Sequence, residues 1–310
     1  MMQIPANAAM RRISRDLRSS FNMAAILFSA LVGISESQAA APTSHTADTP
    51  APTLQTSGNT IVITGGSSGI GRELALRFND LGNTVIVTGR RLESLQETIA
   101  GRQNMHAVQL DVTSPESIAA FAQTVLTTHP DVNVLINNAG IMRFEDLTTG
   151  GQLDDAVAQI TTNLLGPIRV TNALVEHLAT RPNPVIVNVS SGLAFVPRAD
   201  APTYSATKAA VHAHTLSLRH QLQGRVKVIE LIPPAVQTEL TPGQSTRDGY
   251  MPLDAFIDEV MTLFLQQPTP DEIVVERAQP LRRAERDGRF EAIFERLNAQ
   301  AAPTRSSVAP

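Results

Sequence analysis

An apolar run, Thr60 to Thr64, is followed without a gap by Gly65-Gly66-Ser67-Ser68-Gly69-Ile70-Gly71 and then by a helix-forming stretch, Arg72 to Leu81. This order of strand, glycine turn and helix constrains the fold more than any other feature of the chain. Gly65, Gly69 and Gly71 allow the backbone to turn tightly and to come close to a bound pyrophosphate. The free amides and positive dipole end at the helix start then favour the phosphate charge. A glycine turn elsewhere would say little, but in this context it predicts a dinucleotide cradle.

The remainder of the chain continues the pattern. Thr84 to Thr88, Met105 to Gln109, Val132 to Ile136, Val185 to Ser190, Val226 to Ile232 and Glu272 to Glu276 also read as strands, with amphipathic helical stretches between them. Strands apolar on both faces that alternate with helices predict an α/β protein, a doubly wound parallel sheet covered on both sides. A chain of 310 residues can hold one large core or two small ones. The unbroken alternation favours one domain, residues 59–300, with residues 301–310 as a disordered tail.

The start of the chain differs in character. Four arginines between Met10 and Arg18, an apolar run from Phe21 to Ile34 and small residues at Ser37-Gln38-Ala39 make residues 1–38 resemble a signal peptide or membrane anchor. A start codon assigned too far upstream and an organellar transit peptide are the competing readings. The expected location is accordingly outside the cytoplasm or at a membrane if this segment is genuine, and cytoplasmic otherwise. Residues 39–58, rich in Ala, Pro and Thr, read as a linker unable to pack.

Composition narrows the chemistry. A net charge of −4 gives no reason to expect nucleic acid as a partner. With no cysteine the chain has no disulfide, thiolate nucleophile, zinc-thiolate site or iron–sulfur cluster, so redox chemistry needs a bound cofactor. No metal site is expected: His212 and His214 are two apart on a helix and face different ways.

Cofactor choice should show at the end of the second strand, where an acid would accept the ribose 2′-hydroxyl of NAD and repel the 2′-phosphate of NADP. Here the chain reads Val87-Thr88-Gly89-Arg90-Arg91, with no acid. A guanidinium can bind the extra phosphate through charge-assisted hydrogen bonds, so NADP(H) is expected over NAD(H). The alternative is that both arginines only solvate the next helix.

One of only two tyrosines stands in Tyr204-Ser205-Ala206-Thr207-Lys208. A spacing of four places Tyr204 and Lys208 on one helical face. A nearby ammonium favours phenolate, so Lys208 is expected to lower the Tyr204 pKa and make it a general acid–base. Asn163 lies in a helical stretch where asparagine lowers propensity and so needs a reason, functional or structural.

The GxxxGxG spacing, Asp111-Val112 closing the third strand, Asn137-Asn138-Ala139-Gly140 closing the fourth, Ser190-Ser191-Gly192 after the fifth, and YxxxK together resemble the short-chain dehydrogenase/reductase family, single-domain type. The resemblance covers roughly residues 59 to 240, and two runs, Ser190 to Phe195 and Pro233 to Val236, look most like its DltE-type oxidoreductases. It implies a Rossmann-type fold and hydride transfer between a nicotinamide cofactor and a carbonyl or secondary alcohol. By family position the catalytic residues would be Asn163, Ser191, Tyr204 and Lys208, with Ser191 rather than Ser190 donating to the substrate oxygen and Asn163 holding a water that links the lysine to solvent. The cofactor would meet Gly65, Ser67, Ser68, Gly69, Ile70, Gly71, Arg90, Asp111, Val112, Asn138, Ala139, Gly140, Tyr204, Lys208, Pro233 and Val236.

In the family the aspartate binds the adenine amine; a helix cap for Asp111 and a plain turn for Asn138 to Gly140 are the alternatives. A homodimer or homotetramer is also implied. Pro234 departs from the more frequent Pro-Gly and stiffens the expected pocket wall. Gln237 to Tyr250 should be a mobile lid, with Arg143, Phe195 and Arg198 lining the pocket or merely solvated. The extended branch of the superfamily does not match, since it carries GxxGxxG and a longer C-terminal domain. A non-catalytic NADPH-binding protein is the remaining alternative.

Overall fold

The computed structural model describes residues 52–149 and 153–299. Residues 1–38, 39–51 and 301–310, to which the leader, most of the linker and the tail were assigned, lie outside the described residues. The described residues lie within one compact unit.

Seven strands, β1 (Thr60–Thr64), β2 (Thr84–Gly89), β3 (Met105–Gln109), β4 (Val134–Asn137), β5 (Val185–Val189), β6 (Lys227–Ile232) and β7 (Glu272–Val274), form one sheet in the order β3-β2-β1-β4-β5-β6-β7. Every pairing is parallel. Helices α1 (Gly69–Asp80), α2 (Leu92–Ile99), α3 (Pro115–Thr128), α4 (Leu153–Ile160), α5 (Gly166–Leu178), α6 (Pro202–Gln221), α7 (Leu253–Phe264), α8 (Gln279–Arg282) and α9 (Phe290–Ala299) complete the described chain. The fold is the doubly wound, Rossmann-type α/β architecture that the strand pattern predicts.

Alternation along the strands explains the two core layers. On β4, Val134 and Ile136 join a cluster with Leu74 and Phe78 of α1 and Phe256 and Phe264 of α7, and Leu135 faces the opposite cluster with Phe121 of α3 and Val170 and Leu174 of α5. All of these side chains are buried to within 1 % of their surface. Because β2 pairs β1 on one side and β4 pairs it on the other, the order of strand addition reverses beside β1, the place where such a sheet leaves a crevice at the carboxyl ends of its strands.

One boundary moves. The segment assigned to an unpackable linker runs to residue 58, yet Leu54 is 2 % exposed and belongs to the first core cluster. Thr53 hydrogen-bonds Thr269, the Leu54 carbonyl accepts from Gln267, and the Gln55 and Thr56 carbonyls accept from Asn59 and Asn83. A single leucine in an Ala/Pro/Thr-rich run is a weak signal, and here it joins the cluster that holds Ile61, Ile63 and Phe264, with Gln267 and Thr269 fixing it from far along the chain. Deleting residues 1–51 is therefore expected to leave thermal stability unchanged, and extending the deletion to residue 57 to cost about 2–5 kcal/mol, the price of losing a buried leucine and its neighbours' hydrogen bonds. Parallel denaturation of the two truncations measures the difference.

Candidate active site

The glycine turn is built for close approach. Gly65 and Gly69 have φ of 68° and 54°, a region costly for other residues. A Cβ on Gly65 would lie 2.9 Å from the Ala139 Cα, and one on Gly71 would overlap the Asn138 amide and the Gly65 carbonyl. Asn138 closes the arrangement by donating to the Thr64 and Gly65 carbonyls, while Thr64 Oγ1 accepts from the Asn138 and Ala139 amides. Asn138 thus braces the turn after β4 against the glycine loop. Helix α1 starts with no side-chain cap from Ser68 and no acid in its first turn, so its terminal amides remain available to an anion. These observations fit a pyrophosphate, and Ser67, Ser68 and Ile70 belong to the same turn.

At the end of β2, Arg90 is exposed and its backbone carbonyl accepts from Gln109. A side chain at Gly89 would meet Leu95 and Ser67 only at ordinary contact distances of 3.5 and 3.8 Å, so packing does not forbid an acid there. Its absence is a feature of the site rather than of the core. Asp111 Oδ1 accepts from the Thr113 amide and hydroxyl at 2.9 and 2.7 Å, an Asx turn before α3, which Ser114 caps instead. Burial pushes the Asp111 carboxyl up, but the two Thr113 bonds and the Arg90 charge outweigh it and hold the pKa below the usual value. A cavity of about 520 Å³ is lined by Arg90, Leu92, Gln109, Asp111, Ser117 and Phe121. It lies along β3, away from Tyr204. Val112 packs its side chain into the core against Gly166, and Val236 is likewise buried, leaving only their backbones to face a ligand.

Tyr204, Ser191, Lys208 and Asn163 converge beyond β4 and β5. Tyr204 is 6 % exposed and lies beside Ser191, whose hydroxyl oxygen accepts from the Leu193 amide. Lys208, one helical turn further along α6, is buried, donates to the Val189 carbonyl at 2.9 Å and sits 5.6 Å from the Tyr204 ring centre. Its ammonium and Asn163 Oδ1 both lie beside Gly140. Helices α4 and α5 are joined by a π-helical segment, Thr161–Leu165, that contains Asn163. Asn163 accepts from the Ile141 amide and donates to the Ile141 carbonyl, both at 2.8 Å, and reaches Thr207 on α6. Its side chain therefore ties the β4 turn to the tyrosine helix, and the irregular turn supplies the reason for an asparagine in mid-helix.

Electrostatics correct one expectation. The Tyr204 phenol is not lowered: burial pushes its pKa up to about 12, opposed only by the neighbouring Ser191 hydroxyl. Desolvation of the phenolate outweighs an ammonium that lies over the ring rather than against the hydroxyl. Burial also drives Lys208 down to about 8, against the pull of the Glu230 charge.

Other expected pocket residues go elsewhere. Phe195 packs edge-on to His212 and beneath Arg282, and Arg143 extends to an exposed pairing with Asp155 at 3.8 Å. Arg198 pairs with Asp200 through two hydrogen bonds of 2.8 and 2.6 Å. Met142, Ala201, Leu193 and Leu240 instead form the apolar wall around Tyr204. Leu240 brings the lid segment onto the site, and that segment is held by Gln244 bonding Thr241 and the Val236 carbonyl and by the pairing of Val236 with Met251. The Pro233 carbonyl accepts from the Gly192 amide and so fixes the serine turn. Ser190 donates its hydroxyl to a residue the motif reading missed, Glu230.

A family model described as short chain dehydrogenase matches residues 59–248. The uncharacterized oxidoreductase DltE of Bacillus subtilis is 39 % identical over 251 residues, covering 80 % of this chain and 99 % of the relative. An NADP-dependent 3-hydroxy acid dehydrogenase of Schizosaccharomyces pombe is 31 % identical over 59 % of this chain and 74 % of its own. Among solved structures, a short chain dehydrogenase from Burkholderia cenocepacia in complex with NADP superimposes with a TM-score of 0.69 at 26 % identity, covering 79 % of this chain and 99 % of its own.

Proposed function

Because the chain belongs to the short-chain dehydrogenase/reductase family and is an oxidoreductase of that family, we propose that it transfers hydride between NADP(H) and a carbonyl or secondary alcohol, with Tyr204 as the acid–base. The observation that carries this reading is the convergence of Ser191 and Tyr204 in one buried site, against an apolar wall and with the Lys208 ammonium one turn away. A lost catalytic residue would favour the binding-only alternative, and none of the four is lost.

The glycine turn and the start of α1 would hold the pyrophosphate, Arg90 the 2′-phosphate, Asp111 and Val112 the adenine, Ala139 and Gly140 the adjacent ribose face, Lys208 and Tyr204 the nicotinamide ribose, and the backbone of Pro233 and Val236 the nicotinamide wall. The bound reduced nicotinamide supplies the hydride. Ser191 Oγ and Tyr204 Oη both donate to the carbonyl oxygen, stabilising the negative charge that develops on it. With a pKa near 12 the phenol remains protonated at neutral pH, the form a reductase needs in order to donate. After Tyr204 Oη gives up its proton, the Lys208 ammonium stabilises the phenolate. Met142, Leu193 and Leu240 exclude water from the transfer.

On the substrate side, Arg247 of the lid lies over the Tyr250 ring and donates to its hydroxyl, to which Arg198 also points at 3.5 Å. Among the described residues Arg247 has no carboxylate partner. The Arg247 guanidinium at the lid, unlike Arg198 with its Asp200 partner, is open to a carbonyl compound bearing an acid group, in keeping with the 3-hydroxy acids named for the yeast relative. A dimer is proposed on a different face, where Leu153, Val157 and Ile160 form an exposed apolar stripe on α4.

Turnover of short aldehydes, each offered as the carboxylate and as its methyl ester, with NADPH and with NADH tests the reading. NADPH should be favoured at least tenfold in affinity, and Arg90→Ala should erase most of that preference. Equal use of both cofactors, or a preference untouched by Arg90→Ala, would remove the phosphate-binding role.

A further inference from the structure

We propose that Glu230 is a positioning residue of this active site: its buried carboxylate, held by Ser190 and His212, locks the serine turn to the lysine-bearing face of α6 and places a negative charge behind Lys208. The proposal rests on the reading of Lys208 given above.

Glu230 interrupts the apolar run Val228-Ile229-Glu230-Leu231-Ile232 on a strand covered by neighbours on both sides, and it is wholly buried. An isolated carboxylate there would be strongly destabilising, so the protein must satisfy it. Ser190 Oγ donates to Oε1 at 2.5 Å and His212 Nδ1 lies 2.8 Å from Oε2. Those two partners come from the two elements that carry the chemistry. Ser190 precedes Ser191, and its amide bonds the Leu231 carbonyl. His212 stands one turn after Lys208 on α6, on the same helical face. A single carboxylate thus spans the serine turn and the tyrosine helix, from the strand that pairs with the one whose Val189 carbonyl receives Lys208.

The surrounding charges close the network. Arg282 of α8 grips Glu272 of β7 with two bonds of 2.8 Å and stacks on Phe195, whose ring edge meets His212. The ionisable groups around Lys208 and Glu230 are therefore Tyr204 and His212 on α6, Glu272 on β7 and Arg282 on α8. His212, Glu230 and Glu272 bring ligand atoms within 4.8 Å of one another. Arg282 takes both oxygens of Glu272 and Ser190 takes one of Glu230, so this set is spent on internal pairing rather than open to a cation.

The consequence is a defined sign. Burial favours neutral Lys208 and the Glu230 charge opposes that, so removing the charge lowers the pH at which the ammonium is lost. In NADPH-dependent carbonyl reduction by the whole enzyme, Glu230→Gln should move the alkaline limb of the kcat profile down by about half a pH unit or more. It should also reduce kcat at its optimum about fivefold or more, by the weakened ammonium. Glu230→Asp should restore the limb. Should Glu230→Gln fail to fold, the triple variant Glu230→Met, Ser190→Ala, His212→Phe replaces the network by apolar volume and carries the same expectation. An unshifted limb in a folded charge-removed variant, whatever its thermal stability, would overturn the proposal. Absence of carbonyl turnover in the wild type would instead overturn the reading of the site on which it rests.

Discussion

Tyr204→Phe should reduce turnover on the order of a hundredfold or more while leaving NADPH affinity nearly unchanged. The ring of Tyr204 packs with Met142 and Ala201, and phenylalanine keeps that packing. What disappears is a hydroxyl that lies beside Ser191 and, pushed up to a pKa of about 12 by burial, is protonated at neutral pH. A hundredfold loss corresponds to about 2.7 kcal/mol in the barrier, the scale expected for a positioned proton donor. Ser191 can still stabilise the developing oxyanion, but its hydroxyl is too weak an acid to complete the transfer. Steady-state kinetics beside a fluorescence titration with NADPH separates the two quantities, and a variant that lost affinity as much as rate would point to a structural defect instead.

Gly71→Ala should act at the other end of the site and for a steric reason. The added methyl would collide with the Asn138 side-chain amide and the Gly65 carbonyl, two groups locked together by their own hydrogen bond of 3.2 Å. Neither can retreat without opening the contact between the glycine loop and the β4 turn. Overpacking of this kind costs about 1–3 kcal/mol in stability, and displacing α1 from the phosphate position should weaken NADPH binding tenfold or more. Thermal melts with and without NADPH measure both: the variant should melt lower and lose most of the ligand-induced stabilisation. Gly82→Ala, at a positive φ but with its nearest neighbour 4.0 Å away, should lose stability without losing the ligand response.

Features that depend on neighbours in sequence were the legible ones. The central strands β1, β2, β4, β5 and β6 are rich in β-branched residues because a parallel sheet covered on both faces has no solvent side there, so they stand out in the sequence, whereas the edge strands β3 and β7 are only partly buried. Ser191, Tyr204, Lys208 and Asn163 lie within motifs, and the fold brings them together as those motifs imply. What tertiary packing decides was not legible. The charge of Lys208 could be read from the sequence, but the burial that outweighs it at Tyr204 could not. Leu54 looked like linker because its partners lie on the far side of the chain. Phe195 looked like pocket wall until α8 placed Arg282 over it. Glu230 did leave a signal, a lone carboxylate within an apolar strand, which can survive in a core only with partners. Those partners, 40 and 18 residues away, appear only when β5, β6 and α6 meet.

The most direct test of the account is isotopic: NADPH deuterated on the transferable position of its nicotinamide is mixed in a single turnover with an accepted aldehyde, for the wild type and for Tyr204→Phe. The account predicts an alcohol carrying deuterium on carbon, formed rapidly by the wild type and on the order of a hundredfold more slowly by the variant. Deuterium transfer at equal rates in both, or an alcohol without deuterium on carbon, would contradict it.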